Sequence, residues 1–259
     1  MVRREKSNYI IQSVSHSLDV LEQFSGEAEE LGVTELSKRL KLHKNNVFRL
    51  LATLESRGYI EQNRGTENYR LGVRCLQIGQ RYADQMGLLQ QARRIMADLA
   101  KSCRETVLLA ICRNHTMVTI GAVESDRPVR IVPLLGDFLP LHCTAVGKVY
   151  LAFLPADERE QSLLDPLPRH SERTLTDRQA LLQQLKKVAT HGYAVDLVEF
   201  ADDMHSIAVP VRDYTKAVVA ALAVAGPSQR LAAERLEKTM APLVAQAGQE
   251  LSMRLGYSS

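Results

Sequence analysis

The stretch that most constrains this chain is LGVTELSKRLKLHKNNVFRLLATLESRG, residues 31–58. Thr34 can cap a short helix through Leu36 and Leu40, and a break around Lys41–His43 separates it from a second helix, from about Lys44 to Arg57. In that second helix Val47, Leu50, Leu51 and Leu54 recur at i, i+3, i+4 and i+7, a stripe that must be buried. Lys44 at its start and Asn45, Asn46, Arg49 and Thr53 are left for the other side. Asn and Arg carry the paired donors and acceptors that match adenine and guanine edges in the major groove of DNA. Two short helices with a three-to-four-residue break, the second bearing such a face, meet the requirements of a helix-turn-helix. Gly58 suits the left-handed position that ends a helix.

Upstream, Ser13 is a cap candidate for a helix in which Val14, Leu18, Leu21 and Phe24 share one stripe, with Gly26 as its stop. Downstream, Tyr59–Gln62 and Tyr69–Leu71 flank a polar loop containing Gly65 and read as a β-hairpin. Arg64 and Arg70 stand where such a wing would meet phosphate. Helix, helix-turn-helix, hairpin is the order of a winged helix. Charge agrees: residues 36–74 hold nine Lys and Arg against three Glu, a net +6, whereas residues 1–35 sum to −4. A short basic segment of this kind suits a polyanion, here double-stranded DNA.

At 259 residues the chain exceeds the usual size of one hydrophobic core, so a second domain is expected. A Pro-free helical stretch runs from Val73 to a break at Gly87. Leu89, Ala92, Met96, Leu99 and Cys103 then mark another apolar helix face. This region lacks the Gly, Ser and Pro of a flexible tether and reads as a linker and dimer-forming element. Its apolar faces, the Leu89–Cys103 stripe included, are expected to meet a second copy.

Further on, Thr106–Cys112 and Met117–Val123 form a candidate hairpin, with Val129–Pro133 as a third strand. Ala145–Phe153 is helical and ends before Pro155; Thr176 and Gln179 make a capping box for a helix that stops at Gly192. Ser206–Val211 and Ala217–Val224 are a second hairpin, in which Pro210 points to an edge strand. A closing helix carries Leu236, Met240, Leu243, Ala247 and Leu251. Strand pairs interspersed with helices give an α+β sensor-like domain. The expected bounds are 1–73 for the winged helix, 74–87 for the linker and 88–259 for the second domain.

Several functions are excluded or disfavoured. Aromatics are only 5% with no Trp, so stacking platforms for bare bases or sugars are not expected. The four cysteines, Cys75, Cys103, Cys112 and Cys143, include no CxxC pair, and neither a signal peptide nor a long apolar span is evident. Free thiols in the cytoplasm, with no membrane partner, fit this pattern. His142-Cys143 invites a nucleophile reading, but adjacent residues at a helix start rarely face each other and no orienting third group is evident. His142, Cys143, His205 and Asp196 are suitable zinc donors, yet no short-spaced ligand pair accompanies them. The expectation is no catalytic residue, no metal and no cofactor, with Cys143 simply packing.

LGVTELSKRLKLHKNNVFRLLATLESRGYIEQ, NYRLG, LHCTAVGKVYLAFLP, HGYAVD and SIAVPV…VVAALAVAGP, in this order, resemble the IclR family of transcription regulators over nearly the whole chain. The resemblance implies a winged helix, a linker helix and a GAF-like C-terminal domain that binds a small organic acid. It implies a homodimer through the N-terminal region, often paired into a homotetramer, and a repressor of a catabolic operon acting at a palindromic operator. For the effector it implies the backbone N–H groups of Ala145 and Val146 ahead of Gly147 and Lys148, the acidic Asp196 after Gly-Tyr, and the residue before IAxPV, here Ser206 where relatives commonly carry Cys. Two last-strand positions that bear hydroxyls in some members are Ala223 and Ala225 here. An aromatic or short aliphatic acid is therefore expected. Asn45-Asn46 replaces a frequent Ser-Thr pair in the recognition helix.

Overall fold

The computed structural model describes residues 10–25 and 28–258, and of 83–85 the backbone alone. The expected stop at Gly26 lies outside the described residues. The chain divides into two units between Gln85 and Met86.

In the N-terminal unit α1 is Gln12–Glu22, α2 Val33–Leu40 and α3 Lys44–Ser56, followed by the antiparallel strands β1 (Ile60–Gln62) and β2 (Tyr69–Leu71) and by α4 (Val73–Gln85). The stripe of α3 is inside as its spacing requires: Val47, Leu51 and Leu54 pack with Val20, Phe24 and Leu36. Lys41 turns α2 into the break in a left-handed conformation, and Gly58 does the same after α3 at φ 74°. Three expectations about α1 and α2 need correction. Ile11, not Ser13, is the N-cap of α1, and Gly32, not Thr34, that of α2; neither cap uses a side chain. Of the expected stripe, Val14 and Leu18 are each 53% exposed; the buried residues are Val20 in α1 and Phe24 in the 3-10 turn Gln23–Ser25 that follows it.

The second unit is a six-stranded antiparallel sheet, ordered β5-β4-β3-β8-β7-β6, with helices on both faces. Helix α5 (Gly87–Cys103) leads into β3 (Thr106–Arg113), β4 (Thr116–Val123) and the short β5 (Phe138–Leu139). Then follow α6 (Ala145–Phe153), α7 (Ala156–Ser162), α8 (Arg178–His191), β6 (Ala194–Leu197), β7 (Met204–Arg212) and β8 (Val218–Pro227). A helical turn α9 (Ala233–Arg235) and a π-turn lead into α10 (Ala241–Arg254). α5 and α10 cover one face, α6 the other with α8 against it.

This arrangement overturns four readings. The stripe Leu89, Ala92, Met96, Leu99 and Cys103 is buried within its own unit, against β3, β4 and α10, so it is not a surface for a second copy. Val129–Pro133 is not a strand: side chains take its carbonyls, Arg230 donating to Val129 and Thr106 to Ile131 at 2.6 Å. The third strand is Phe138–Leu139. Asp177, not Thr176, caps α8, accepting from the Ala180 N–H at 2.6 Å. Finally, β7 is internal; Pro210 is tolerated because β6 pairs with it only as far as Ala208, leaving no ladder bond for the missing N–H to make on that side.

Candidate functional site

Two regions carry chemistry, one in each unit. On α3, Asn45, Arg49 and Thr53 form an i, i+4, i+8 row, with Lys44 and Asn46 beside it, and all five are exposed. The Thr53 hydroxyl donates to the Arg49 carbonyl at 2.8 Å, whereas the Arg49 guanidinium has no partner among the described residues. Arg64 is exposed in the hairpin loop. Arg70 is exposed too, but its Nε is 2.7 Å from Glu61 Oε1 on the paired strand. Thr34 lies in the first turn of α2, also exposed.

In the second unit the sheet register assembles the site. Asp196 on β6 is opposite Ser206 on β7, and Ser206 is opposite Ala225 on β8. Ala223, two residues back, shares that face and is paired with Leu108 of β3. These residues floor a cavity of about 200 Å³ whose walls are the Ile131–Leu134 segment, Phe138, Phe200 and the start of α6. Ala145 and Val146 line it as the first two residues of that helix, so their N–H groups have no intrahelical acceptor. The Thr144 hydroxyl takes the third, from Gly147. Gly147 itself is set back from the cavity, and its role is close approach: a Cβ there would lie 2.3 Å from the Leu141 carbonyl oxygen.

Asp196 is fully buried. Its Oδ1 accepts from the N–H groups of Glu199, at 2.7 Å, and Phe200, while Oδ2 has no partner. Burial pushes its pKa from the ordinary 3.8 to about 7, against the lowering effect of the Glu199 N–H and the Lys148 ammonium. Behind it Lys148, fully buried on α6, donates to Glu199 Oε1 at 2.5 Å. Between the two acids Val198, a β-branched residue, is held at φ 65°, with Ser171 donating to its carbonyl and Thr174 to that of Glu199. Strain of this kind, of order 1–3 kcal/mol, persists where surroundings over-determine it and clusters at ligand sites.

The structure thus brings Ala145, Val146, Asp196, Ser206, Ala223 and Ala225 to one cavity. Sequence reasoning missed Thr119, Asp137, Phe138 and Phe200 in its walls. Only the alternation of β4 bore on Thr119, and no sequence signal places the 131–138 segment over the sheet. His205 donates its Nδ1–H to the Leu231 carbonyl, away from His142 and Cys143. Burial pushes the Cys143 thiol up to about 12, so it is no thiolate nucleophile.

A winged helix with an exposed Asn/Arg face and a sheet domain enclosing a small-molecule cavity define a DNA-binding transcription regulator with a sensor domain. Residues 13–64 match the IclR helix-turn-helix domain, and residues 80–253 match the bacterial transcriptional regulator IclR C-terminal family. The chain is 35% identical over 248 residues to the HTH-type transcriptional regulator KdgR of Escherichia coli, covering 95% of this chain and 94% of that protein. It is 33% identical over 250 residues to E. coli XynR, covering 96% and 98%. An IclR family transcriptional regulator from Brucella abortus has the same fold, with a TM-score of 0.78 at 26% identity over 98% of this chain and 96% of that one. The chain belongs to the IclR family of transcriptional regulators: an N-terminal winged helix, a linker helix and a C-terminal GAF-like domain. Among the described residues no helix is long and apolar enough to cross a membrane.

Proposed function

We propose that this regulator binds a palindromic operator as a dimer, represses a catabolic operon, and responds to a small organic acid in the cavity over Asp196 and Ser206. The observation that carries the effector reading is the pairing of unlike ends in one cavity. The N–H groups of Ala145 and Val146 at a helix start suit a carboxylate. Across from them Asp196, protonated up to about pH 7, presents an Oδ2 with no partner that can donate to a ligand oxygen. The rest of the lining is mostly apolar, including Leu108, Phe138, Ala223 and Ala225. A ligand covered in hydroxyls would forfeit hydrogen bonds there, at about 1–3 kcal/mol for each group left unpaired. An aromatic or short aliphatic acid loses nothing on that wall. In a thermal-shift panel of hydroxybenzoates, short aliphatic acids, glyoxylate and sugar acids, the expected stabilisers are the first two classes. Stabilisation by glyoxylate or a sugar acid while every aromatic acid fails would overturn the reading.

For DNA, the exposed α3 face supports reading of base edges, with Arg64 and Lys44 as phosphate contacts; the Glu61 pair makes Arg70 the weaker candidate. Arg49→Ala is expected to cost about 1–3 kcal/mol of operator affinity, with little change on random DNA. Gel shifts on both, at matched salt, check it, and equal losses on both would reduce Arg49 to a phosphate contact.

A dimer is supported by the N-terminal unit's own surface. Ile10, Ile11, Val14 and Leu18 at α1, and Val73, Leu76, Ile78 and Tyr82 on α4, are each at least 50% exposed. Exposed apolar area on this scale marks an interaction site. Sedimentation at micromolar protein is expected to show a dimer or larger, and Leu76→Glu to shift it toward monomer.

A further inference from the structure

One cluster lies outside the cavity already described. His142, Cys143 and His170 each offer a ligand atom, and these lie within 4.8 Å of one another, although Cys143 and His170 are 27 positions apart in the chain. Their positions follow from structure on both sides. His142 and Cys143 are fixed in the turn ahead of α6, where the Thr144 hydroxyl donates to the Pro140 carbonyl at 2.6 Å. His170 is held in a second turn, in which the N–H groups of His170 and Ser171 both donate to the Thr174 hydroxyl oxygen.

The tautomer of His142 is also set. Its Nε2 is 2.8 Å from the Pro168 carbonyl, which can only accept, so Nε2 carries the hydrogen and Nδ1 the lone pair. An imidazole donating its other N–H to a backbone carbonyl is the usual outer support of a metal-ligating histidine. His142 and His170 face a second cavity of about 260 Å³, separate in its lining from the effector cavity except at Phe138 and Leu139.

We propose that His142, Cys143 and His170 bind a zinc ion, with one coordination position left to water or a small ligand from the cavity beside them. Thiolate and imidazole are both zinc donors, and three protein ligands leave the fourth tetrahedral position open. Binding releases the Cys143 proton, since the thiolate is the ligand. Bond lengths of about 2.0–2.3 Å require the three donors to draw in from their present spacing, and His170, whose side chain is on the exposed side, supplies that movement. The ion would tie the turn ahead of α6 to the 170–174 turn, whose Ser171 and Thr174 hold the backbone beside Asp196. His170 also packs on Phe200, a wall residue of the effector cavity, at a ring separation of 5.7 Å. Zinc would in this way stiffen one wall of the sensor.

The test is a zinc titration of the full chain, stripped with a chelator under reducing conditions, against a chromophoric zinc indicator. One ion per chain is expected, and Co2+ in its place should give the near-ultraviolet charge-transfer absorption of a cobalt–thiolate bond. His170→Ala, on an exposed side chain, should weaken zinc by at least tenfold and Cys143→Ser should abolish the cobalt–thiolate band. His205→Ala should change neither. Less than one ion per chain, no thiolate band with Co2+, or full affinity retained in His170→Ala would each overturn the site.

Discussion

Lys148→Met is expected to destabilise the second unit by about 3–5 kcal/mol, the cost typical of removing one partner from a buried ion pair. The ammonium is fully buried and serves two acids: it donates to Glu199 Oε1 at 2.5 Å and lowers the pKa of Asp196. Met fills nearly the same volume, so the loss is electrostatic rather than a cavity. Glu199, whose Oε2 already lacks a partner, would be left as an uncompensated charge. Glu199→Gln in the same background removes that charge and should recover part of the loss. Urea unfolding of the full chain measures both variants. A single-variant cost below about 1 kcal/mol, or a double variant worse than the sum of its parts, would contradict this account of the pair.

Asp196→Asn should act in the opposite direction and depend on pH. Because the folded-state pKa is raised, from the ordinary 3.8 to about 7, the folded chain holds a proton that the unfolded chain has lost across that window. Stability from this group is complete below about pH 4 and is lost as pH rises toward and through 7. Three pH units at about 1.4 kcal/mol each make the full loss roughly 4 kcal/mol by pH 8. Asn has no proton to lose, and its Oδ1 can still accept from Glu199 and Phe200. Near pH 8 the variant should therefore be the more stable protein by up to about 4 kcal/mol, with the difference closing toward pH 4. Effector binding should fall in the variant, and in the native protein it should weaken above pH 7 as the Oδ2 proton is lost. Parallel stability profiles for the two proteins from pH 4 to 8 would mean that Asp196 is ionised throughout. A buried carboxyl kept at such a cost is consistent with a binding role, since sites commonly trade stability for function.

Much of this was legible in the residues alone, and the reason is range. The α3 stripe of Val47, Leu51 and Leu54, the left-handed stops at Gly58 and Gly192, and the span Ala145–Phe153 depend on neighbours within a turn or two, which periodicity reports directly. The same holds for the hairpin of β7 and β8, whose two apolar runs sit close together in the chain. Family resemblance added residues that no periodicity could pick out, Asp196 and Ser206 among them. What only the tertiary structure decided are matters of long-range contact. An apolar helical stripe must be buried, but its spacing does not say against what: Leu89–Cys103 meets its own sheet, whereas Leu76 and Tyr82 are left outside. Caps went to Ile11 and Gly32, which use no side chain, and to Asp177, whose carboxylate accepts from the Ala180 N–H one residue past the hydroxyl of Thr176. Val129–Pro133 has the composition of a strand, but Thr106 and Arg230 take its carbonyls and no ladder forms. Register placed Asp196, Ser206 and Ala225 side by side, and two turns far apart in the chain brought His170 to Cys143. Local chemistry chose the elements; which of their faces meet was settled by the closing of the sheet and the burial it had to satisfy.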